Sequence, residues 1–176
     1  MSLGRFAALP VIAVASLALT GCVFSLGGDD DGAAKPKVRV ADACPNRDAA
    51  NWAKMTAYLD ENKKREGVKE TPSGLQYRVL ADGKGTRNPT WASTVQVRYK
   101  GALIDGTVFD ETTTAPAEFE AGAVIKGWQE ALEMMNEGDK WSVVIPANLA
   151  YGCKGKGDKI KADQVLVFDI ELVKIK

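Results

Sequence analysis

From Thr71 to the C-terminus the chain alternates apolar and polar residues with a period of two, and one helical stretch interrupts the pattern. Period-two alternation puts successive side chains on opposite faces of a strand, so that one face can be buried. Leu75, Tyr77 and Val79 alternate, then Val95, Val97 and Tyr99, then Trp141, Val143 and Ile145 up to Pro146. Asp82-Gly83-Lys84-Gly85 reads as a turn and Asp105-Gly106 as a hairpin turn. Residues 147–163 read as a loop rich in Gly and Lys, and residues 164–174 are so apolar that the strand they predict belongs in the middle of a sheet. The interruption reads as a short helix that is entered through Val124-Ile125-Lys126-Gly127-Trp128 and runs on through residues 129–136, with Gly127 allowing close backbone approach and Gly138 expected as its cap. Leu132 and Met135 share the face of Trp128 at helical spacing. Many strands around one internal helix imply an α+β fold, an antiparallel β-sheet wrapped around one short helix.

Three segments precede residues 71–176. Residues 1–21 read as an export signal: Arg5 supplies a short positive region, and residues 6–19 are apolar apart from Ser16. The run is too short for a membrane span. It ends in Leu19-Thr20-Gly21-Cys22, which resembles the bacterial lipoprotein box, in which the chain is cut before the Cys and that Cys is lipidated. An ordinary secretory signal with a chance Cys is the alternative. Lipid on Cys22 would hold the protein to a membrane. Val23, where an Asp resembles an inner-membrane retention signal, leans towards the outer membrane, with the domain in the periplasm or at the cell surface. Residues 22–45 are expected to be a flexible lipidated tether, since their Gly- and Asp-rich stretch cannot bury a core. Residues 46–70 form an N-terminal helical arm, with a helix expected over 47–66 and Gly67 as its stop. Its apolar stripe of Trp52, Met55 and Leu59 either docks on the domain behind it or meets a second copy; a monomer is expected over a dimer.

Composition excludes several chemistries. Lys+Arg and Asp+Glu both number 23, so the basic excess of a nucleic-acid binder is absent. The chain contains no His. A Ser-His or Cys-His catalytic pair is therefore excluded, and so is the commonest metal ligand. Cys22, Cys44 and Cys153 are too far apart for zinc-type spacing, and neither a metal nor a cofactor is expected. Once Cys22 is lipidated, Cys44 and Cys153 remain as an even pair in an oxidising compartment: a disulfide pinning the arm beside the site, or two free thiols.

Six motifs then fall in one order: Val97-Arg98-Tyr99-Lys100-Gly101, Asp105-Gly106-Thr107-Val108-Phe109-Asp110, Pro116-Ala117-Glu118-Phe119, Val124-Ile125-Lys126-Gly127-Trp128, Ala150-Tyr151-Gly152 and Leu166-Val167-Phe168-Asp169. The series resembles an FKBP-type peptidyl-prolyl cis/trans isomerase across essentially the whole of residues 71–176. The approach, residues 61–69 then Ser73-Gly74-Leu75-Gln76-Tyr77, is similar to bacterial envelope members of the macrophage infectivity potentiator type. The resemblance implies a pocket lined by Tyr99, Phe109, Asp110, Phe119, Val124, Ile125, Trp128, Tyr151, Ile160 and Phe168. Trp128 would be its floor and Asp110 part of its wall. The Ile125 backbone N–H and the Tyr151 hydroxyl would donate to a bound carbonyl, and Asp110, Tyr151, Phe168 and Ile125 would carry catalysis. Proline-containing client polypeptides and macrolide inhibitors are the implied partners.

The chain also departs from that family. Lys159-Ile160-Lys161-Ala162-Asp163 stands where a Pro-Pro pair usually follows the Ile, and Ala117 stands where some members carry another aromatic. Lys154, Lys156 and Lys159 make the rim of the loop basic, which either keeps it solvated, the preferred reading, or favours acidic clients. Three functions follow: a lipid-anchored isomerase that assists folding in the envelope, a non-catalytic FKBP-like chaperone or surface binding module, and a purely structural lipoprotein.

Overall fold

The computed structural model describes Cys44 and residues 47–176; the signal, Cys22 and most of the tether lie outside the described residues. The elements are α1 (Ala49–Asn62), β1 (Lys69–Glu70), β2 (Gln76–Ala81), β3 (Thr94–Leu103), β4 (Val108–Glu111), β5 (Ala117–Glu120), α2 (Lys126–Met134), β6 (Lys140–Ile145) and β7 (Leu166–Ile175). Seven strands form one antiparallel sheet in the order β1-β2-β6-β7-β3-β4, with β5 paired to the other half of β3. This is the α+β arrangement that the alternation predicts.

β7 is central because both of its edges are hydrogen-bonded. β3 lies along one, from Val95↔Ile175 to Leu103↔Leu166, and β6 along the other, from Lys140↔Glu171 to Ile145↔Leu166. Alternate β7 residues Leu166, Phe168, Ile170 and Leu172 face α2, which buries Trp128, Ala131 and Leu132 into one cluster with them. The helix comes close enough for this because Gly127 has no side chain; a Cβ there would overlap Ile145 Cγ2.

Two glycine-marked segments differ from the local reading. α2 ends at Met134, and Gly138 (φ 93°) is not its cap but part of the turn into β6. There the Gly138 N–H donates to Leu172 O (2.7 Å), a bond across the sheet that outweighs local capping. Residues 82–85 join no neighbouring strands, since β2 pairs with β6. Instead the Gly83 N–H donates to buried Asp139 Oδ1 (2.6 Å) and the Gly85 N–H to Glu137 O (3.0 Å).

α1 starts where the Asp48 carboxylate accepts from Ala50 N (2.9 Å) and Asn51 N (3.2 Å), satisfying donors that a helix start leaves open. It stops at Asn62, short of residue 66. Gln76, buried at the start of β2, holds that end: its Nε2 donates to Leu59 O (3.0 Å), and its Oε1 accepts from Asn62 Nδ2 (2.9 Å). Met55 packs with Val144 and Val165, and Leu59 and Tyr58 lie against them. The arm therefore covers the sheet face opposite α2, which is why Val144 is buried although alternation would turn it to water. Trp52 leaves the stripe and is half-buried, with the Arg47 guanidinium 3.7 Å above its ring. Among the described residues, no helix is long and apolar enough to cross a membrane.

Met55→Ala should lower the unfolding free energy in urea by about 2–3 kcal/mol, the cost of removing a buried side chain that its neighbours cannot fully replace. An unchanged midpoint would mean that α1 is not docked on the sheet in solution.

Candidate active site

The site is built from β3, β4, β5, the start of α2, the segment after β6 and β7. Trp128 (4% exposed), Phe168 (5%) and Ile160 (5%) are buried, while Tyr99, Phe109, Phe119, Val124, Ile125 and Tyr151 are half-buried around them. Three rings stand edge-on to Trp128: Tyr99 at 5.2 Å and 86°, Phe168 at 5.3 Å and 87°, and Phe119 at 6.0 Å and 80°. Phe109 stands edge-on to Phe168 in turn (5.5 Å, 86°). Perpendicular rings suit the aromatic quadrupole and form walls around a flat base. Gly101 makes room for two of them: a Cβ there would lie 2.6 Å from Phe168 and 2.8 Å from Phe109.

Both proposed donors come from segments held by tertiary bonds. Ile125 precedes the first residue of α2 in extended conformation, and its N–H donates to no backbone carbonyl among the described residues. A residue that the motif reading did not single out fixes this segment. Gln129, one turn into α2, donates from Nε2 to Val124 O (2.8 Å) and Gly122 O (2.9 Å). Its spacing, one helical turn beyond the Val-Ile pair, is the signal that could have found it. Tyr151 follows the short 3-10 turn at Ala147–Leu149, and Gly152 N–H donates back to Ala147 O (2.8 Å).

Tyr99 and Asp110 form the polar edge of the cup. Asp110 is exposed and accepts from the Tyr99 hydroxyl at 2.8 Å. Thr112 fastens the same strand pair, exchanging hydrogen bonds with the Tyr99 backbone (N–H to Oγ1, 3.0 Å). Desolvation first, then the Asp110 carboxylate, pushes the Tyr99 phenol up to about 12. The basic rim is solvated, with Lys154, Lys156 and Lys159 all exposed, and two of these lysines also make contacts. Lys156 Nζ donates to the Tyr151 hydroxyl oxygen (3.2 Å) and sits 5.1 Å from its ring, and Lys159 reaches Phe109 O (3.4 Å). With its oxygen accepting from Lys156, the Tyr151 hydroxyl has its own proton left to donate.

Cys44 and Cys153 lie with Cα atoms 5.3 Å apart and their sulfurs bonded. The cluster of Cys44, Cys153 and Asp163 has the proximity of a metal site. Its donor set does not suit one. The sulfurs are spent on each other, and the Arg47 guanidinium already occupies Asp163. The arrangement as a whole is a cluster of edge-on aromatic rings, with Ile125 and Tyr151 packed against the same core.

The Tyr99 phenol gives a pH signature. Its folded pKa of about 12 lies above the ordinary 10.0, so its contribution to stability is complete below pH 10 and is lost as pH rises to 12. In a tyrosinate absorbance titration, Tyr99→Phe should remove the last tyrosine to ionise, and Asp110→Asn should bring that tyrosine down. A wild-type protein with no tyrosine ionising late would contradict the Tyr99–Asp110 pairing.

Comparison with known proteins agrees with this fold. The family model described as FKBP-type peptidyl-prolyl cis-trans isomerase matches residues 85–173, and the model for the domain amino-terminal to it matches residues 35–79. The chain is 46% identical over 128 residues to the outer membrane protein MIP of Legionella longbeachae, an alignment covering 72% of this chain and 54% of that one. It is 49% identical over 125 residues to the FKBP-type 22 kDa peptidyl-prolyl cis-trans isomerase of Escherichia coli, covering 70% and 60%. The chain thus spans little more than half the length of these relatives. Among solved structures, a peptidyl-prolyl cis-trans isomerase from Pseudomonas syringae pv. tomato superposes with a TM-score of 0.69 at 39% identity, covering 74% of this chain and 98% of that one. FkpA from Escherichia coli gives 0.69 at 43% identity, covering 73% and 60%. This chain belongs to the FKBP-type peptidyl-prolyl cis-trans isomerase family.

Proposed function

We propose that the protein catalyses cis/trans isomerisation of X-Pro bonds in polypeptides of the bacterial envelope and so assists their folding. The observation that carries this is the set of rings standing edge-on to Trp128. The reaction breaks no covalent bond. The peptide C–N bond must twist through a state without amide resonance, against a barrier of about 18–20 kcal/mol. Water bonded to the carbonyl favours the resonant planar form. An apolar cup that takes the prolyl amide out of water therefore favours the twisted one, which is differential binding of the transition state.

The proline ring would sit over Trp128 between Tyr99, Phe119 and Phe168. The Ile125 N–H and the Tyr151 hydroxyl would hold the carbonyl while the bond turns. Asp110 keeps Tyr99 in place through its hydroxyl, and Val124 and Phe109 complete the wall. Ile160, buried with Phe168, packs behind the cup and supports it. Macrolide inhibitors would occupy the same cup. A module that only holds clients would use the walls without the donors.

The test is the cis-to-trans rate of short X-Pro peptides. Wild type should accelerate it; Tyr151→Phe and Asp110→Ala should stay folded and lose roughly tenfold in kcat/KM, about 1.4 kcal/mol of transition-state stabilisation. A folded wild-type protein with no acceleration would put the client-holding module in front.

The envelope location rests on Cys22 and the segment before it, which lie outside the described residues; the name of the Legionella longbeachae relative, an outer membrane protein, supports it. Cells expressing the full chain should incorporate labelled fatty acid at Cys22 and keep the protein with the outer membrane. Cys22→Ser should abolish the label and release the protein to the soluble fraction. Labelling that survives Cys22→Ser would overturn lipidation at this residue.

A further inference from the structure

The loop that carries Tyr151 is fastened from outside, by the arm. Residues 151–163 leave the domain after the turn at Ala147–Leu149 and return just before β7. Inside the loop, Lys156 and Ile160 exchange backbone hydrogen bonds (2.8 and 3.3 Å). Its two ends are stapled by a bond from the Asp163 N–H to Gly152 O (2.9 Å), on the residue next to Tyr151. Asp163 holds that staple in an unusual state: its φ is 60°, which side-chain-bearing residues seldom adopt, and the residue is only 3% exposed.

What stabilises a buried carboxylate in that conformation is the arm. Arg47 donates to both of its oxygens, from Nε to Oδ2 (3.1 Å) and from Nη2 to Oδ1 (3.2 Å). This is a bidentate pair whose carboxylate is almost fully withdrawn from water. Beside it Cys44 is bonded to Cys153, two residues beyond Tyr151, and Asn51 Nδ2 donates to Ala162 O (3.2 Å). Three residues of one short segment, Cys44, Arg47 and Asn51, thus grip both ends of the loop. Core packing alone gives no reason for this. Met55 and Gln76 already dock α1 on the sheet.

We infer that Arg47 and the Cys44–Cys153 bridge are positioning elements of the isomerase site, holding the Tyr151 hydroxyl at the cup through Asp163. The inference rests on the isomerase reading for its kinetic readout and on backbone geometry for its second one. If the arm is released, Asp163 loses its counter-charge, the staple to Gly152 loosens, and Tyr151 samples positions from which it no longer donates. Binding over Trp128 is untouched, so the loss falls on kcat rather than KM.

The test compares the full-length, detergent-solubilised protein with a Cys44→Ser/Cys153→Ser variant and with that variant carrying Arg47→Met. X-Pro peptides are the substrate, and amide hydrogen exchange at Gly152, Asp163 and the β3 and β7 residues is the second measurement. The combined variant should keep β3 and β7 protected, exchange faster at Asp163, and lose roughly fivefold or more in kcat with KM little changed. Arg47→Lys in place of Arg47→Met, which returns a cation to that position, should recover part of the rate. In a Tyr151→Phe background the same changes should cost less than about twofold, because the group they position is gone. Should the combined variant fail to fold, the serine pair alone, which keeps Arg47 on Asp163, should lose roughly twofold in kcat. Unchanged kcat, an equal loss in the Tyr151→Phe background, or an Asp163 amide as protected as in wild type would overturn the proposal. A wild-type protein without isomerase activity would sink the isomerase reading instead, leaving hydrogen exchange at Asp163 to decide the clamp.

Discussion

Trp128 sets the terms for everything around it. Its indole is buried at the first turn of α2, and Tyr99, Phe119 and Phe168 meet it edge-on from three strands. A flat ring in that place needs close approach on both sides. Gly127 lets the helix settle against Ile145, and Gly101 leaves space for Phe109 and Phe168. The sheet supplies the rest, since β3 and β7 run side by side and put Tyr99 and Phe168 on the face that α2 covers. The core and the cup are therefore one structure. Its lower part is packing and its upper rim is the candidate site.

Such a cup asks little of acid–base chemistry. The polar groups at its edge are few and each has a defined neighbour: Tyr99 with Asp110, Tyr151 with Lys156, and the Ile125 segment with Gln129. A reaction limited by loss of amide resonance needs desolvation and one or two donors, not a proton shuttle. A chain without His suits that chemistry, and a phenol held ionisable only at high pH stays neutral across any physiological range.

The arm changes what the sheet can be. An antiparallel sheet with one covered face would leave Val144 and Val165 against water, but Met55 of α1 buries both. The same segment reaches the far loop through Arg47 and Cys44. Two exposed rim lysines reach across the loop, one to the Tyr151 hydroxyl and one to a β4 carbonyl.

By itself the sequence determined the strands and the single internal helix, and through the family resemblance it implied the residues of the aromatic cup. These depend on local period and on motif order: Val95, Val97 and Tyr99 alternate within one strand, and the run that becomes β7 is apolar enough to require two neighbours. Only the tertiary structure decided where α1 stops, because the side chain that holds its end, through Leu59 O and the Asn62 amide, is Gln76, on another element. It alone decided that Gly138 serves a turn bonded to Leu172 rather than a helix cap, and that β5 shares β3 with β4. It also turned Arg47 and Asp163 from two unremarkable charges into a buried pair. The physical reason is common to all four. Alternation and helical spacing act between residues near in the chain, whereas a carbonyl, a carboxylate or a strand edge takes whichever partner the folded chain brings to it.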